Sequence, residues 1–148
     1  MGTYYYVFPT FAQGKRVIWD GMDGDGFRFL NHFPRELWAG TPNSTEMKLK
    51  LKNGSVFQIV GSDNIDRIVG TNPIGVVFSE FALQDPRAWQ FIRPILAENG
   101  GWAIFNSTPR GRYNHFYADA YRIAERSDKW FLSHLSARDT GYPTEEEI

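Results

Sequence analysis

Two runs decide the fold: Ile74-Gly-Val-Val-Phe-Ser-Glu80 and Trp102-Ala-Ile-Phe-Asn-Ser-Thr-Pro109, held apart by residues 84–99. The first begins as a continuous apolar stretch, too short for a helix, which is the pattern of a strand covered on both faces. The second opens on a similar apolar run, residues 102–105. Between them Ala88, Phe91, Ile92, Ile95 and Leu96 recur at helical spacing, and Gly100-Gly101 closes the segment. Two strands joined by one long helix need a crossover, so they are expected to be parallel neighbours. Ser79 and Glu80 then share a sheet edge with Ser107 and Thr108. Ligands of open parallel sheets bind beyond such carboxyl ends. Pro94 lies inside the helical segment and predicts a kink or a division there.

Working outward, residues 4–8 read as a short buried strand closed by Pro9, with Thr10 placed to cap a helix over residues 11–19. Gly21-Met-Asp-Gly-Asp-Gly26 breaks that helix, and the chain to Ser44 is irregular. Met47, Leu49 and Leu51 then alternate with Lys48, Lys50 and Lys52, and Asn53-Gly54 precedes a second apolar run, residues 56–60. That arrangement predicts a β-hairpin with a type I′ turn. Asp63 is expected to cap a short helix ending at Val69. Further on, residues 116–126 read as helix and residues 130–135 as another strand. The polar tail over residues 139–148 carries Thr144 before Glu145-Glu146-Glu147, the pattern of a first helical turn. Strands alternating with helices predict an α/β fold on a mainly parallel sheet.

Composition narrows the function classes. A length of 148 residues suits one domain, able to bury roughly 70% of the surface its unfolded chain exposes. With 16 Lys and Arg against 17 Asp and Glu, no global basic field exists, so any nucleic-acid contact rests on local patches. Having no cysteine, the chain excludes a disulfide framework, a thiolate zinc site and a thiol nucleophile. No apolar run approaches the length of a membrane helix, and the aromatic N-terminus lacks the pattern of a signal peptide. These bounds predict a soluble intracellular globular domain.

A hydrophobic strand ending in an acid is how nucleotide hydrolases place a magnesium ligand and a water-activating carboxylate beside a triphosphate. Here the order of segments resembles the ATPase domain of the large terminase subunit, the motor that packages DNA into tailed-phage heads. The resemblance is carried by Tyr6-Val-Phe-Pro-Thr10, Gly54-Ser-Val-Phe-Gln-Ile-Val-Gly-Ser-Asp63, Gly75-Val-Val-Phe-Ser-Glu-Phe-Ala82, Gly101-Trp-Ala-Ile-Phe-Asn-Ser-Thr-Pro-Arg-Gly111 and Asn114-His-Phe-Tyr117. It implies a P-loop NTPase-like α/β fold of the catalytic-glutamate class, a mainly parallel sheet flanked by helices, with an inserted β-hairpin. It divides the chain into a partial ATPase domain, residues 1–138, and the start of a linker towards a nuclease domain, residues 139–148.

The resemblance also implies roles. Glu80 matches the catalytic glutamate that orients the water attacking the γ-phosphate. Ser79 stands where most relatives carry the magnesium-coordinating Asp, and offers the metal only a neutral hydroxyl. Ser107 and Thr108 match the coupling motif that reports the state of the γ-phosphate. Arg110 and Arg112, on the loop that follows, are open to three readings: DNA phosphate, a neighbouring subunit, or solvent. ATP and magnesium are the implied cofactors. The implied partners are double-stranded phage DNA, the small terminase subunit, the portal protein and further copies of the chain in a ring. The implied location is the cytoplasm of the host bacterium.

One departure is large. The family's phosphate loop, G-x-x-x-x-G-K-[ST], is absent. Pro9-Thr-Phe-Ala-Gln-Gly-Lys-Arg16 follows a strand and opens a helix, but Pro9 replaces the first Gly and Arg16 the final Ser or Thr. In the family a strand ending Pro-Thr comes after the phosphate loop. The chain is therefore expected to be truncated upstream, to stop before the nuclease domain, and to bind no nucleotide tightly alone.

Other features carry competing readings. Lys48, Lys50 and Lys52 share one strand face, which suits either a phosphate backbone or a solvated edge. Asp23 and Asp25 suggest a calcium loop, yet Phe27 occupies the third ligand position and an acidic turn fits better. Ser107, His115 and an acid such as Asp85 would compose a hydrolytic triad, without a nucleophile elbow around the serine. The alternative to a motor fragment is a non-catalytic nucleic-acid-binding or assembly module derived from such a motor.

Overall fold

Six residues, Thr3–Phe8, form β1, and the sheet grows from both of its sides. The structure is a computed structural model and describes residues 1–142. β1 pairs in parallel with β3 (Val56–Gly61) on one side and with β4 (Pro73–Ser79) on the other. Antiparallel β2 (Lys48–Lys50) lies beyond β3, and parallel β5 (Trp102–Asn106) lies beyond β4. The order is β2-β3-β1-β4-β5, the expected mainly parallel α/β sheet. Val76, Val77, Phe78 and Ser79 stand in register with Ala103, Ile104, Phe105 and Asn106, as the crossover requires. The chain forms two compact units, Met1–Pro109 and Arg110–Ile148, and the sheet belongs to the first.

The crossover helix α2 (Arg87–Asn99) buries Ala88, Trp89, Ile92 and Leu96. Its Trp89 stands edge-on to Phe78 and Phe105, which are stacked on each other at 4.9 Å, and Phe81 closes the group from the side. Each such pair adds about 0.5–1.5 kcal/mol beyond its area. The expected division at Pro94 does not occur. Its ring and Gln90, whose carbonyl loses a donor, are both exposed, so the missing helix bond lies on the solvent side. Gly100 ends the helix at φ 63°, a left-handed value that glycine adopts without a Cβ penalty. A second core joins Phe8, Trp19, Met47 and Ile59 with the half-buried Tyr6, Phe11, Ile18, Leu30 and Phe57. β5 is an edge strand: Trp102 and Ile104 on one of its faces are 47% and 53% exposed.

Thr10 caps α1 (Phe11–Gly14) as expected, its hydroxyl accepting from Gln13 N at 3.1 Å, and the chain continues as a π-helical turn, Lys15–Trp19. Four expectations need correction. The hairpin is present, but its turn is not type I′: among the described non-glycine residues only Met47 and Glu80 have positive φ, so Asn53 does not. Gly54 N bonds Leu51 O, Leu51 N bonds Ser55 O, and Gly54 alone takes φ 88°, which is a tight turn followed by a glycine bulge. Asp63 does not cap the helical turn after it, Ile65–Arg67; its carboxylate accepts from Phe11 N at 3.0 Å, capping α1 from a distant part of the chain. Residues 130–135 form no strand, and Phe131 is 91% exposed. An apolar run becomes a strand only where a neighbour receives its N–H and C=O groups. Lys52, finally, lies outside β2, so the lysine row on that strand is Lys48 and Lys50. Residues 116–126 are largely helical, through Tyr117–Tyr121 and Arg122–Ala124. The helical turn expected around Thr144 lies outside the described residues.

Gly61 pairs with Phe8 where β3 and β1 end, and a Cβ there would strike the Phe11 backbone and the Asp63 carboxylate. Gly61→Ala should therefore cost about 1–3 kcal/mol through overpacking. The check is urea unfolding: a lower midpoint at unchanged slope is expected, and a wild-type midpoint would show that α1 is not held against this strand end.

Candidate functional site

The carboxyl ends of β1, β4 and β5 come together, and the polar residues around them are held mainly by side chain to backbone bonds. Ser79 closes β4 opposite Asn106 of β5. Glu80 follows at φ 52° and ψ 49°, left-handed for a residue with a Cβ, which costs on the order of 1–3 kcal/mol. The turn is fastened to β5 by two bonds: Glu80 N donates to Asn106 Oδ1 at 3.2 Å, and Ala82 N donates to Ser107 Oγ at 2.9 Å. Ser107 Oγ in turn donates to Thr108 O at 3.3 Å. The expectation that Glu80 and Ser107 share one sheet edge is met, with Thr108 next to them on the same loop.

Gln84 fills the crevice between β1 and β4. It is 3% exposed, and its Nε2 donates to Val7 O at 2.9 Å and to Ser79 O at 2.7 Å. Its Oε1 is buried without a partner, at a cost of about 1–3 kcal/mol. One residue on, Asp85 N donates to Ser62 Oγ, which donates to Pro9 O, so the same segment also ties down the end of β3. The Asp85 carboxylate is gripped by Arg87, with Nη2 at 2.7 Å and Nε at 3.1 Å, and the carboxylate raises the Arg87 pKa through that bond. Its charge is thus already matched.

The chemistry available follows from these positions. Glu80 is half-buried and no described side chain bonds its carboxylate, so it is open to a water molecule. Ser79 is buried at the strand end. Among the described residues no group of three or more His, Asp or Glu could hold a metal, and Ser79 offers a single neutral hydroxyl. Ser107 is bonded to backbone on both sides, which leaves its hydroxyl unlike an activated nucleophile. Asp23 Oδ1 accepts from Asp25 N and Phe27 N, closing the acidic turn on itself. Arg110 and Arg112 are exposed and belong to the second compact unit. Lys48 and Lys50 lie on β2, the edge strand farthest from β5 in the sheet order, so the structure does not bring them to the strand ends around Glu80. Sequence reasoning missed Gln84 and Asn106. Gln84 reads as a helix start and Asn106 as an ordinary strand end, and no spacing rule marks either as a partner of a turn.

No protein-family model matches the chain. It is 31% identical over 102 residues to the terminase large subunit of Escherichia phage T5, which covers 66% of this chain and 23% of that protein. In fold it matches the large terminase of a thermophilic bacteriophage, with a TM-score of 0.72 at 14% identity, covering 98% of this chain and 35% of the other. The large terminase ATPase domain of Thermus phage P74-26 matches with a TM-score of 0.61 at 20% identity, covering 94% of this chain and 57% of that domain. The first of these two structural relatives is also known in complex with ATP-γ-S and with ADP. The chain thus spans about a quarter to a little over half the length of these relatives.

Strain at Glu80 yields a direct test. Glu80→Gly removes the left-handed penalty and should stabilise the chain by roughly 0.5–1 kcal/mol, the gain being reduced by the extra freedom glycine brings to the unfolded state. Urea unfolding reads it, and a destabilised variant would mean that the Glu80 side chain contributes contacts worth more than its strain.

Proposed function

Since the chain is related in sequence to phage large terminase subunits and carries the fold of their ATPase domains, we propose that it is part of an ATP-driven DNA-packaging motor. Glu80 is the catalytic residue, orienting the water that attacks the γ-phosphate. The observation that carries this reading is the left-handed Glu80 turn, tied through Asn106 and Ser107 to the end of β5. Strained non-glycine residues cluster where a side chain has to be aimed. Ser107 and Thr108 form the coupling element: a change felt at this loop is passed to the Glu80 turn through the Ala82 to Ser107 bond. Residues 1–138 are assigned to the ATPase domain, and residues 139–148 to the start of a linker towards a nuclease domain.

Phosphate binding by the first strand and helix is opposed by chemistry. The amides of Phe11 and Gln13, which a phosphate would need, already donate to Asp63 and Thr10, and the Asp63 carboxylate would repel an anion. We therefore assign the chain no grip on ATP of its own. Ser79 is the residue nearest the role of metal ligand, and its single hydroxyl is too little to hold magnesium without the phosphates of a nucleotide. Double-stranded DNA, a small terminase subunit, a portal protein and further copies of the chain are the proposed partners. Arg110, Arg112, Lys48, Lys50 and Lys52 are offered as contacts to DNA or to a neighbouring copy, in the cytoplasm of an infected or lysogenic host.

Three measurements test the reading. The chain alone should hydrolyse ATP no faster than its Glu80→Ala variant. Joined to a strand, phosphate loop and helix from a relative, it should become active and lose at least ~100-fold on Glu80→Ala; an active chimaera indifferent to that change would remove Glu80 from the mechanism. In the same chimaera Ser79→Asp places a full charge beside the metal and should lower the magnesium concentration for half-maximal rate several-fold. An equal or higher requirement would show that residue 79 is not in the metal shell.

A further inference from the structure

The peptide joining Ser79 to Glu80 is gripped at both ends by side chains. Its carbonyl, Ser79 O, accepts Gln84 Nε2–H at 2.7 Å, and its amide, Glu80 N–H, donates to Asn106 Oδ1 at 3.2 Å. The Gln84 amide is fixed in turn by its second bond to Val7 O, because a turned-over amide would set Oε1 against two carbonyl oxygens. Its Oε1 stays buried without a partner, so this side chain is held inside for its donors alone. The plane of a peptide sets φ of the residue after it. Half a turn of the 79–80 peptide would carry Glu80 from φ 52° to the negative half of the map, where residues with a Cβ ordinarily rest. Such a turn would break the bonds to Gln84 and to Asn106 together.

We propose that Gln84 is a positioning residue for Glu80. Its amide holds the Ser79–Glu80 peptide in the orientation that keeps Glu80 left-handed, with Asn106 holding the other end. Because Gln84 also bonds Val7, the aim of Glu80 is referred to the central strand of the sheet rather than to its own turn. That Glu80 is catalytic rests on the proposed function; the clamp itself does not.

Nuclear magnetic resonance on the labelled 148-residue chain tests the clamp without nucleotide. Positive φ brings the HN and Hα of one residue close together, so Glu80 gives a strong intraresidue NOE. Gln84→Met keeps the length and removes both donors. That NOE should then fall to the level of the strand residues while the NOEs between β1 and β4 persist. Survival of the Glu80 NOE overturns the proposal, as does its loss only together with the β1–β4 NOEs, which would make Gln84 a purely structural residue. Should Gln84→Met fail to fold, the unaltered chain decides. Its Gln84 side-chain protons should exchange slowly and show coupling through the hydrogen bond to the Ser79 carbonyl carbon; fast exchange without that coupling overturns the clamp. A Glu80 dispensable for hydrolysis would overturn the catalytic reading and leave these signals unchanged.

Discussion

β1 has a parallel neighbour on each side, and most of the molecule answers to that constraint. Parallel neighbours cannot be joined by a tight turn, so the chain must leave the sheet and return between β3, β4 and β5. Each departure starts from the same end of the sheet, and the backbone groups at those ends need partners that the ladder no longer supplies. Side chains meet the need: Asp63 and Thr10 at the start of α1, Ser62 beneath Pro9, and Gln84 between Val7 and Ser79. The polar cluster at the strand ends is thus first a solution to a hydrogen-bonding problem. Only Glu80, with its strained backbone and open carboxylate, goes beyond it.

Two penalties stand side by side there, a left-handed Glu80 and an orphaned Gln84 oxygen. Both are of the size that a single substitution removes. The aromatic group of Phe78, Phe81, Trp89 and Phe105 adjoins the turn, since Phe78 and Phe81 flank Ser79 and Glu80 in sequence. Rigid packing and directional bonds leave the turn few ways to relax.

The architecture was legible in the sequence where the signal is local and periodic. The apolar runs ending at Phe78 and Phe105, the helical spacing from Ala88 to Leu96 and the alternation around Leu49 all became the expected elements. What sequence reasoning lost depends on partners distant along the chain. Asp63 looks like the cap of the helical turn beside it, and Phe11, its actual partner, is 52 positions away. Gln84 reaches Val7 across 77 positions, and no pattern in the intervening letters encodes that bond. The run at residues 130–135 has the composition of a strand, but composition does not supply the neighbour a strand needs. The turn at Asn53-Gly54 was located correctly and mistyped, since one glycine with positive φ suits a bulged turn as well as the expected one.

The open side of β5 has a consequence for the chain in solution. Its Trp102 and Ile104 are half exposed beside backbone groups that no described strand receives, and this is a template on which like surfaces can associate. A net charge of −1 supplies almost no mutual repulsion to oppose it. The open edge of β5 is therefore one surface through which concentrated chains can associate, and Ile104→Lys would set a charge in the middle of it.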